Sequence, residues 1–332
     1  MNELNKPPTN PATHTAHDWD QYWRGAGEVG AWTAGGARHP AIRAFWTDFF
    51  TSAREAFPSP RLLDVASGSG AVVECAMEVF AGAPIDAWSL DSSEAAIEGL
   101  RDRFPGLTGL VCDARSIPPE VGRFELVTSQ FGVEYAGLEA LGSLPGLLAP
   151  EGRIALLLHC SRGAIQTECA ASLDAVNRMQ ASGFVALAGD MFDAGFAAAR
   201  GADRVPYDEA ASRLAPALKA IEGIVSEYGQ DVAAGTIARL YGDVATIHSR
   251  LPHYDREEVL GWLERMNSEL DAYAGRMTSM LEAALDGPAF ERVCRSLTSG
   301  GCVLDNAGPF KVTDQDAPLG WALVGHISRP GH

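Results

Sequence analysis

Three acids and a glycine turn are spaced as a nucleoside-binding edge would need them. Leu62-Leu63-Asp64-Val65-Ala66-Ser67-Gly68-Ser69-Gly70 reads as a strand running into a tight turn. Gly68 and Gly70 lack the side chains that would keep a ligand away from the backbone. Asp91 stands 21 residues after Gly70 at the end of a second apolar run, a place suited to a carboxylate that grips ribose hydroxyls. Asp113 follows 22 residues later, at the end of a third run. A carboxylate there can accept from an adenine amino group while Ala114 and its neighbours lend backbone N–H groups. Taken singly, each Asp is equally a loop or N-cap acid; three successive strand ends give the pattern its weight. The competing ligand is a dinucleotide, whose G-x-G-x-x-G turn faces a pyrophosphate. Here the third Gly is Val73, and no arginine directly follows the second strand to hold a 2′-phosphate, so a phosphate-free nucleoside is favoured.

These positions fall in a strand–helix alternation. Strands are expected at 61–66, 85–90, 110–112, 124–129 and 153–159, with helices at 71–81 and 93–103 between them. That spacing predicts an α/β domain, a parallel sheet with helices on both faces. Aromatic-rich helical pieces are expected over 18–57, and residues 1–17, rich in Pro, Thr and Asn, are expected to be disordered. After His159 the pattern changes. Residues 161–286 carry three stripes with apolar residues alternately four and three apart: Leu214 to Tyr228, Ile237 to Leu251, and Val259 to Met280. Such a period marks helices packed lengthwise. It predicts a large all-helical insertion between the fifth and sixth strands, with one helix over 255–285. The stripes either pack on each other or leave a seam for a homodimer. A helix is then expected at 288–299, strand or bend pieces at 302–304 and 310–312, and a final strand at 321–327. The expected organisation is a sheet domain from 18–160 and 287–332, interrupted by the helical insertion 161–286.

Composition narrows the function classes. The chain has 332 residues and a net charge of −17, from 43 acidic and 26 basic side chains spread over both halves. Phosphates repel such a field, which argues against bare nucleic acid or an anionic membrane as partner. The 6 cysteines form no C-x-x-C pair, so no metal site is expected. No apolar run approaches the ~20 residues of a membrane span, and the start shows no secretory pattern. A cytoplasmic protein with free thiols is expected.

The motifs resemble those of class I S-adenosylmethionine-dependent methyltransferases, over roughly 60–160 and 287–328. The family's glycine motif matches Asp64-Val65-Ala66-Ser67-Gly68-Ser69-Gly70, with Ala66 where its first glycine stands. Its second- and third-strand acids match Asp91 and Asp113. Ser129-Gln130-Phe131-Gly132-Val133 is similar to the quinone-biosynthesis type and related small-molecule enzymes. The Leu147-Leu148-Ala149-Pro150-Glu151-Gly152 turn also fits, and Tyr22-Trp23 is similar to an aromatic pair that covers the cofactor.

The resemblance implies a Rossmann-like sheet that binds S-adenosylmethionine through Tyr22, Trp23, Asp64, Ala66, Ser67, Gly68, Gly70, Asp91, Ser92, Asp113, Ala114, Gln130 and Phe131. It implies methyl transfer to a small molecule, which the apolar residues of the insertion suggest is apolar or aromatic, with O-methylation slightly ahead of C- or N-methylation. Chemistry would then sit at the ends of the fourth and fifth strands, near Glu134, Tyr135 and His159. His159 is the best base candidate, since imidazole exchanges protons near neutral pH. It reads equally as a histidine satisfied by a backbone carbonyl, and Glu134 as a solvated loop acid. The insertion, rich in Phe184, Met191, Phe192, Phe196, Tyr241, Trp262 and Met266, would serve as substrate pocket or lid, or these residues simply fill the bundle. Two other readings stay open: a methyltransferase acting on protein or RNA, and a non-catalytic cofactor-binding or assembly subunit.

Overall fold

The computed structural model describes residues 19, 20, 22–24, 39–312 and 317–328. The stretch 1–17 lies outside the described residues. The chain divides into two compact units: one runs to Thr167 and resumes at Ser279, and the other is Glu168–Thr278.

The first unit is built on seven strands: β1 (Arg61–Val65), β2 (Asp86–Asp91), β3 (Thr108–Val111), β4 (Phe124–Gln130), β5 (Leu148–Leu158), β6 (Cys302–Phe310) and β7 (Gly320–Ile327). They form one sheet in the order β3-β2-β1-β4-β5-β7-β6. β1 to β5 are mutually parallel, and β7 runs antiparallel to both neighbours. This is a Rossmann-like sheet whose last two strands form an antiparallel pair. The strand order reverses direction between β1 and β4, and open α/β sheets bind ligands at such a switch point.

Both faces are covered, which is why the central strands read as unbroken apolar runs. On one face Leu63, Val65, Val127, Ile154 and Leu156 pack with α4 (Leu138–Ser143) and α10 (Gly287–Ser299), through Leu141, Phe290, Val293 and Leu297. On the other, Leu62, Leu126, Ala155 and Leu157 pack against α1 (Pro40–Ala56) and α2 (Ala71–Val79), through Ile42, Trp46, Phe50, Val72 and Ala76. Helix α3 (Glu94–Arg103) joins α2 through Ile97, Leu100 and Val73. Its N-cap Ser93 accepts from the Ala96 amide, and the Asp286 carboxylate caps α10 in the same way.

The second unit is helical. It comprises α6 (Phe184–Ala199), α7 (Val205–Tyr228) and α8 (Thr236–Ser249), with most of α5 (Ala164–Ala181) and α9 (Arg256–Ala283). The stripe residues Leu214, Ile221, Ile237, Leu240, Val244, Val259, Leu263 and Leu270 are buried in one cluster with Phe184, Phe192 and Phe196. The stripes therefore pack on each other within the chain. Among the described residues, no helix is long and apolar enough to cross a membrane.

Two elements depart from expectation: β5 begins at Leu148, through the turn expected at 150–152, and β6 is continuous. Cys302–Phe310 is a single strand, although Asp305, Asn306, Gly308 and Pro309 disfavour strand. It lies at the sheet edge, where a proline costs no ladder bond on the solvent side. A register shift between Leu304 and Asn306 absorbs the irregularity, and pairing with β7 carries the rest. Close approach at Gly325 is part of that pairing, since a Cβ there would lie 2.7 Å from the Val303 carbonyl oxygen. Gly325→Ala is expected to loosen this edge, speeding amide exchange over 302–310 and costing about 1–3 kcal/mol in denaturant melts.

Candidate functional site

The turn after β1 is formed by residues that leave the usual backbone regions. Ala66 has φ +56°, Gly68 +49° and Gly70 +78°. A left-handed alanine costs roughly 1 kcal/mol more than glycine, so Ala66 holds that conformation against its preference. The loop after β4 presses on it: a Cβ at Gly132 would lie 2.5 Å from Ala66 Cβ. The loops on either side of the switch point are thus in contact, which requires glycine at 132.

Asp91, the last residue of β2, ties this turn to the next helix. Its Oδ2 accepts from the Gly68 amide at 2.9 Å and its Oδ1 from the Ser93 amide at 2.9 Å. Burial pushes its acid upward, and the amides of Ser93, Gly68 and Ser92 oppose that push. Ser92 itself is exposed beside it.

Asp64 lies inside β1, 1% exposed, in register with Thr128 on β4 and Ser89 on β2. Its Oδ1 accepts from the Thr128 hydroxyl at 2.8 Å. Its Oδ2 and Ser89 Oγ are buried without a hydrogen-bond partner. Burial drives its acid up to about 7, against the Thr128 and Ser67 hydroxyls and with help from the charge of Asp91. Ser67 also closes the turn, its hydroxyl donating to the Asp64 carbonyl at 2.8 Å.

Asp113 stands two residues beyond β3, with half-buried Ala114 opening a short 3₁₀ turn. Arg115 takes both carboxylate oxygens: its amide and Nε bond Oδ1, and Nε and Nη2 bond Oδ2. The guanidinium holds the carboxyl below the usual range. Sequence reasoning missed Arg115, although a cation two residues after a strand-end acid was visible.

The ends of β4 and β5 bring the remaining residues together. Gln130 closes β4 and accepts the Trp46 indole N–H at 2.5 Å. Phe131 has φ +51°, and its amide donates to the Leu157 carbonyl. Glu134 is 4% exposed, not solvated. Its Oε1 meets His159 Nδ1 at 2.7 Å and accepts the His159 amide at 2.8 Å. The partner of the imidazole is thus a carboxylate and not a backbone carbonyl. In a neutral ring, a carboxylate acceptor at Nδ1 places the proton there and leaves Nε2 with its lone pair. Phe131 lies tilted on the His159 ring at 4.8 Å, and Tyr135 meets it edge-on at 5.8 Å. His159 is further held by its carbonyl, which accepts from the Leu285 amide.

The amino-terminal aromatics reach the same place. Trp19, Asp20, Tyr22, Trp23 and Arg24 are helical. A Cβ at Gly68 would lie 2.6 Å from Trp23 Cζ2, so the indole rests on the glycine turn. Tyr22 meets Trp23 at 4.8 Å, and Trp19 meets Tyr135 edge-on at 5.8 Å. The structure thus joins the β1, β2 and β4 loops, Trp23, Tyr135 and His159 by direct contacts, while Asp113 is engaged with Arg115. Asp20, which sequence reasoning also missed, bonds the start of α3. Among the described residues, no group of three His, Cys, Asp or Glu is arranged to hold a metal.

No protein-family model matches the chain. The ubiquinone/menaquinone biosynthesis C-methyltransferase of Burkholderia multivorans is 30% identical over 118 residues, 34% of this chain and 48% of that protein. That of Paraburkholderia xenovorans is 30% identical with the same coverage. The chain therefore spans about half the length of the curated relatives it matches. Over that stretch they bear out the resemblance to class I methyltransferases. Among solved structures, Streptomyces venezuelae DesVI is 23% identical and covers 47% of this chain and 60% of its own, at a TM-score of 0.31. The plantazolicin methyltransferase BpumL, bound to S-adenosylhomocysteine, is 12% identical and covers 96% and 97%, at a TM-score of 0.43.

The Asp64 carboxyl gives the site a pH signature. Its folded acid, at about 7, lies above an unfolded carboxyl near 3.9, so the folded chain holds the proton between those values. Stability from this group is full below about pH 4 and declines as the pH rises through about 7. Asp64→Asn is expected to match the wild type near pH 4 and exceed it at pH 8, by on the order of 2–4 kcal/mol in urea melts.

Proposed function

We propose that the chain transfers a methyl group from S-adenosylmethionine to a hydroxyl of a small, apolar or aromatic molecule. The observation that carries this reading is the buried Asp91 carboxylate, bonded to the Gly68 amide across the ends of β1 and β2. The residues present fit the cofactor. Asp64, Asp91 and Glu134 are buried acids, and two of them keep a carboxylate oxygen without a partner, an environment that suits a cation better than a pyrophosphate. Asp91 and Ser92 would hold the ribose, and Ala66, Ser67, Gly68 and Gly70 the adjoining methionyl portion, with Asp64 beneath. Ala114 would border the adenine, with Asp113 accepting from it alongside Arg115, and Tyr22, Trp23, Gln130 and Phe131 would close around them.

S-adenosylmethionine supplies an electrophilic methyl on a sulfonium, which leaves with the C–S electron pair remaining on sulfur. The chain's part is to position the acceptor, exclude water and take a proton. Glu134 fixes the His159 ring and stabilises the imidazolium that forms when Nε2 takes the acceptor's hydroxyl proton. Phe131, Tyr135 and Trp19 offer aromatic faces and edges to a planar acceptor. The C-methyltransferase relatives support a second reading, in which the same base takes a proton from an activated carbon.

Labelled methyl transfer to a panel of phenols and hydroquinones tests this. Oxygen-methylated product is expected, with His159→Asn lowering kcat about 10²-fold or more and leaving the cofactor KM near its wild-type value. Glu134→Gln is expected to lower kcat by less. Product methylated at ring carbon would move the assignment to the second reading, and an unchanged rate in His159→Asn would remove the base.

A further inference from the structure

Asp20 lies outside the strand-end pattern and yet is tied to it. Its Oδ1 accepts from the Ser93 hydroxyl at 2.9 Å and from the Ala95 amide at 3.1 Å, and its Oδ2 accepts from Arg24 Nε at 2.8 Å. The carboxylate thus sits at the start of α3, where helix N–H groups favour negative charge. Burial works against that charge, but the Ala95 amide, Arg24 and Ser93 outweigh it and hold the acid below its usual value. Ser93 faces both ways: its hydroxyl serves Asp20, and its amide serves Asp91, whose other oxygen holds Gly68. Three residues after Asp20, Trp23 rests on Gly68; one residue before it, Trp19 meets Tyr135. The ring contacts at either side constrain orientation less tightly than hydrogen bonds to a carboxylate do. The charge-assisted bonds of Asp20 are the ones that fix the orientation of this turn of chain.

We infer that Asp20 is a positioning residue, a carboxylate latch that docks on the start of α3 and holds Trp23 on Gly68 and Trp19 against Tyr135. The inference rests on the proposed reading of that turn as the cofactor site and adds what governs release from it. Because Ser93 joins Asp20 to Asp91, the latch closes against the same residue that orients the ribose-facing carboxylate. Opening the latch frees the indole from Gly68, so bound nucleoside leaves when the Asp20 bonds break. The fold does not depend on them: α3 keeps its own N-cap, Ser93 Oγ accepting from the Ala96 amide at 3.2 Å.

The test compares wild type, Asp20→Ala and Asp20→Asn in the full chain. Two readouts are used: amide exchange over 66–70 and 93–96 without ligand, and release of S-adenosylhomocysteine by stopped-flow tryptophan fluorescence. Asp20→Ala is expected to speed exchange in both segments and to release the nucleoside about tenfold faster, with the melting temperature unchanged. Asp20→Asn keeps one acceptor oxygen for Ser93 and Ala95 and should fall between. Faster exchange with unchanged release would make Asp20 a structural cap and overturn the positioning role; so would unchanged exchange. A wild type that binds no S-adenosylhomocysteine would instead overturn the cofactor reading, and the latch's role in release with it.

Discussion

The Asp91 carboxylate, bonded at once to the amides of Gly68 and Ser93, is the constraint on which the site depends. A buried carboxylate needs its oxygens satisfied, and here two loops satisfy them. One is the turn after β1, bent through left-handed Ala66, Gly68 and Gly70; the other is the start of α3. Once both are pinned, Gly132 of the β4 loop can close on Ala66, and the aromatics from the amino-terminal side settle on Gly68 and Tyr135. The geometry at the switch point follows from one acceptor group placed at the end of one strand.

A polar seam within the sheet supports that edge at some cost to stability. Asp64, Ser89 and Thr128 occupy matched positions on adjacent strands in an otherwise apolar interior. Two of their oxygens lack partners, which a fold selected for stability alone would avoid. Glu134 repeats the pattern at the other side of the site, one oxygen serving His159 twice and the other unpaired. Buried acids with unmet acceptor capacity near the ends of β1 and β4 are a natural setting for a cationic ligand and a transferable proton.

Much of this was legible in the sequence because parallel strands buried on both faces announce themselves as short apolar runs. The glycine turn and Asp91 could be placed from those runs and their spacing, and the helical stripes of 161–286 from their period. β6 was not legible as one strand, because Asp305, Asn306, Gly308 and Pro309 are loop-formers that only β7 holds in line. The role of Glu134 was hidden for another reason: it meets His159 across 25 residues, and no local spacing marks such a pair. Asp20 meets Ser93 across 73 residues, which is likewise a property of the folded chain. The acceptor oxygens of Asp113 are legible from its place at a strand end, whereas their capture by Arg115 belongs to the folded 3₁₀ turn.

The central claim is that the β1–β2 edge, organised by Asp91, binds a nucleoside cation. Calorimetric titration of S-adenosylmethionine into wild type and Asp91→Asn tests it most directly, with circular dichroism to confirm that both fold. The account predicts one site per chain in the wild type and an affinity roughly 10- to 100-fold weaker in Asp91→Asn, the worth of one hydrogen bond to a charged acceptor. A folded wild type that takes up no S-adenosylmethionine, or an Asp91→Asn protein that binds it equally well, would contradict the account.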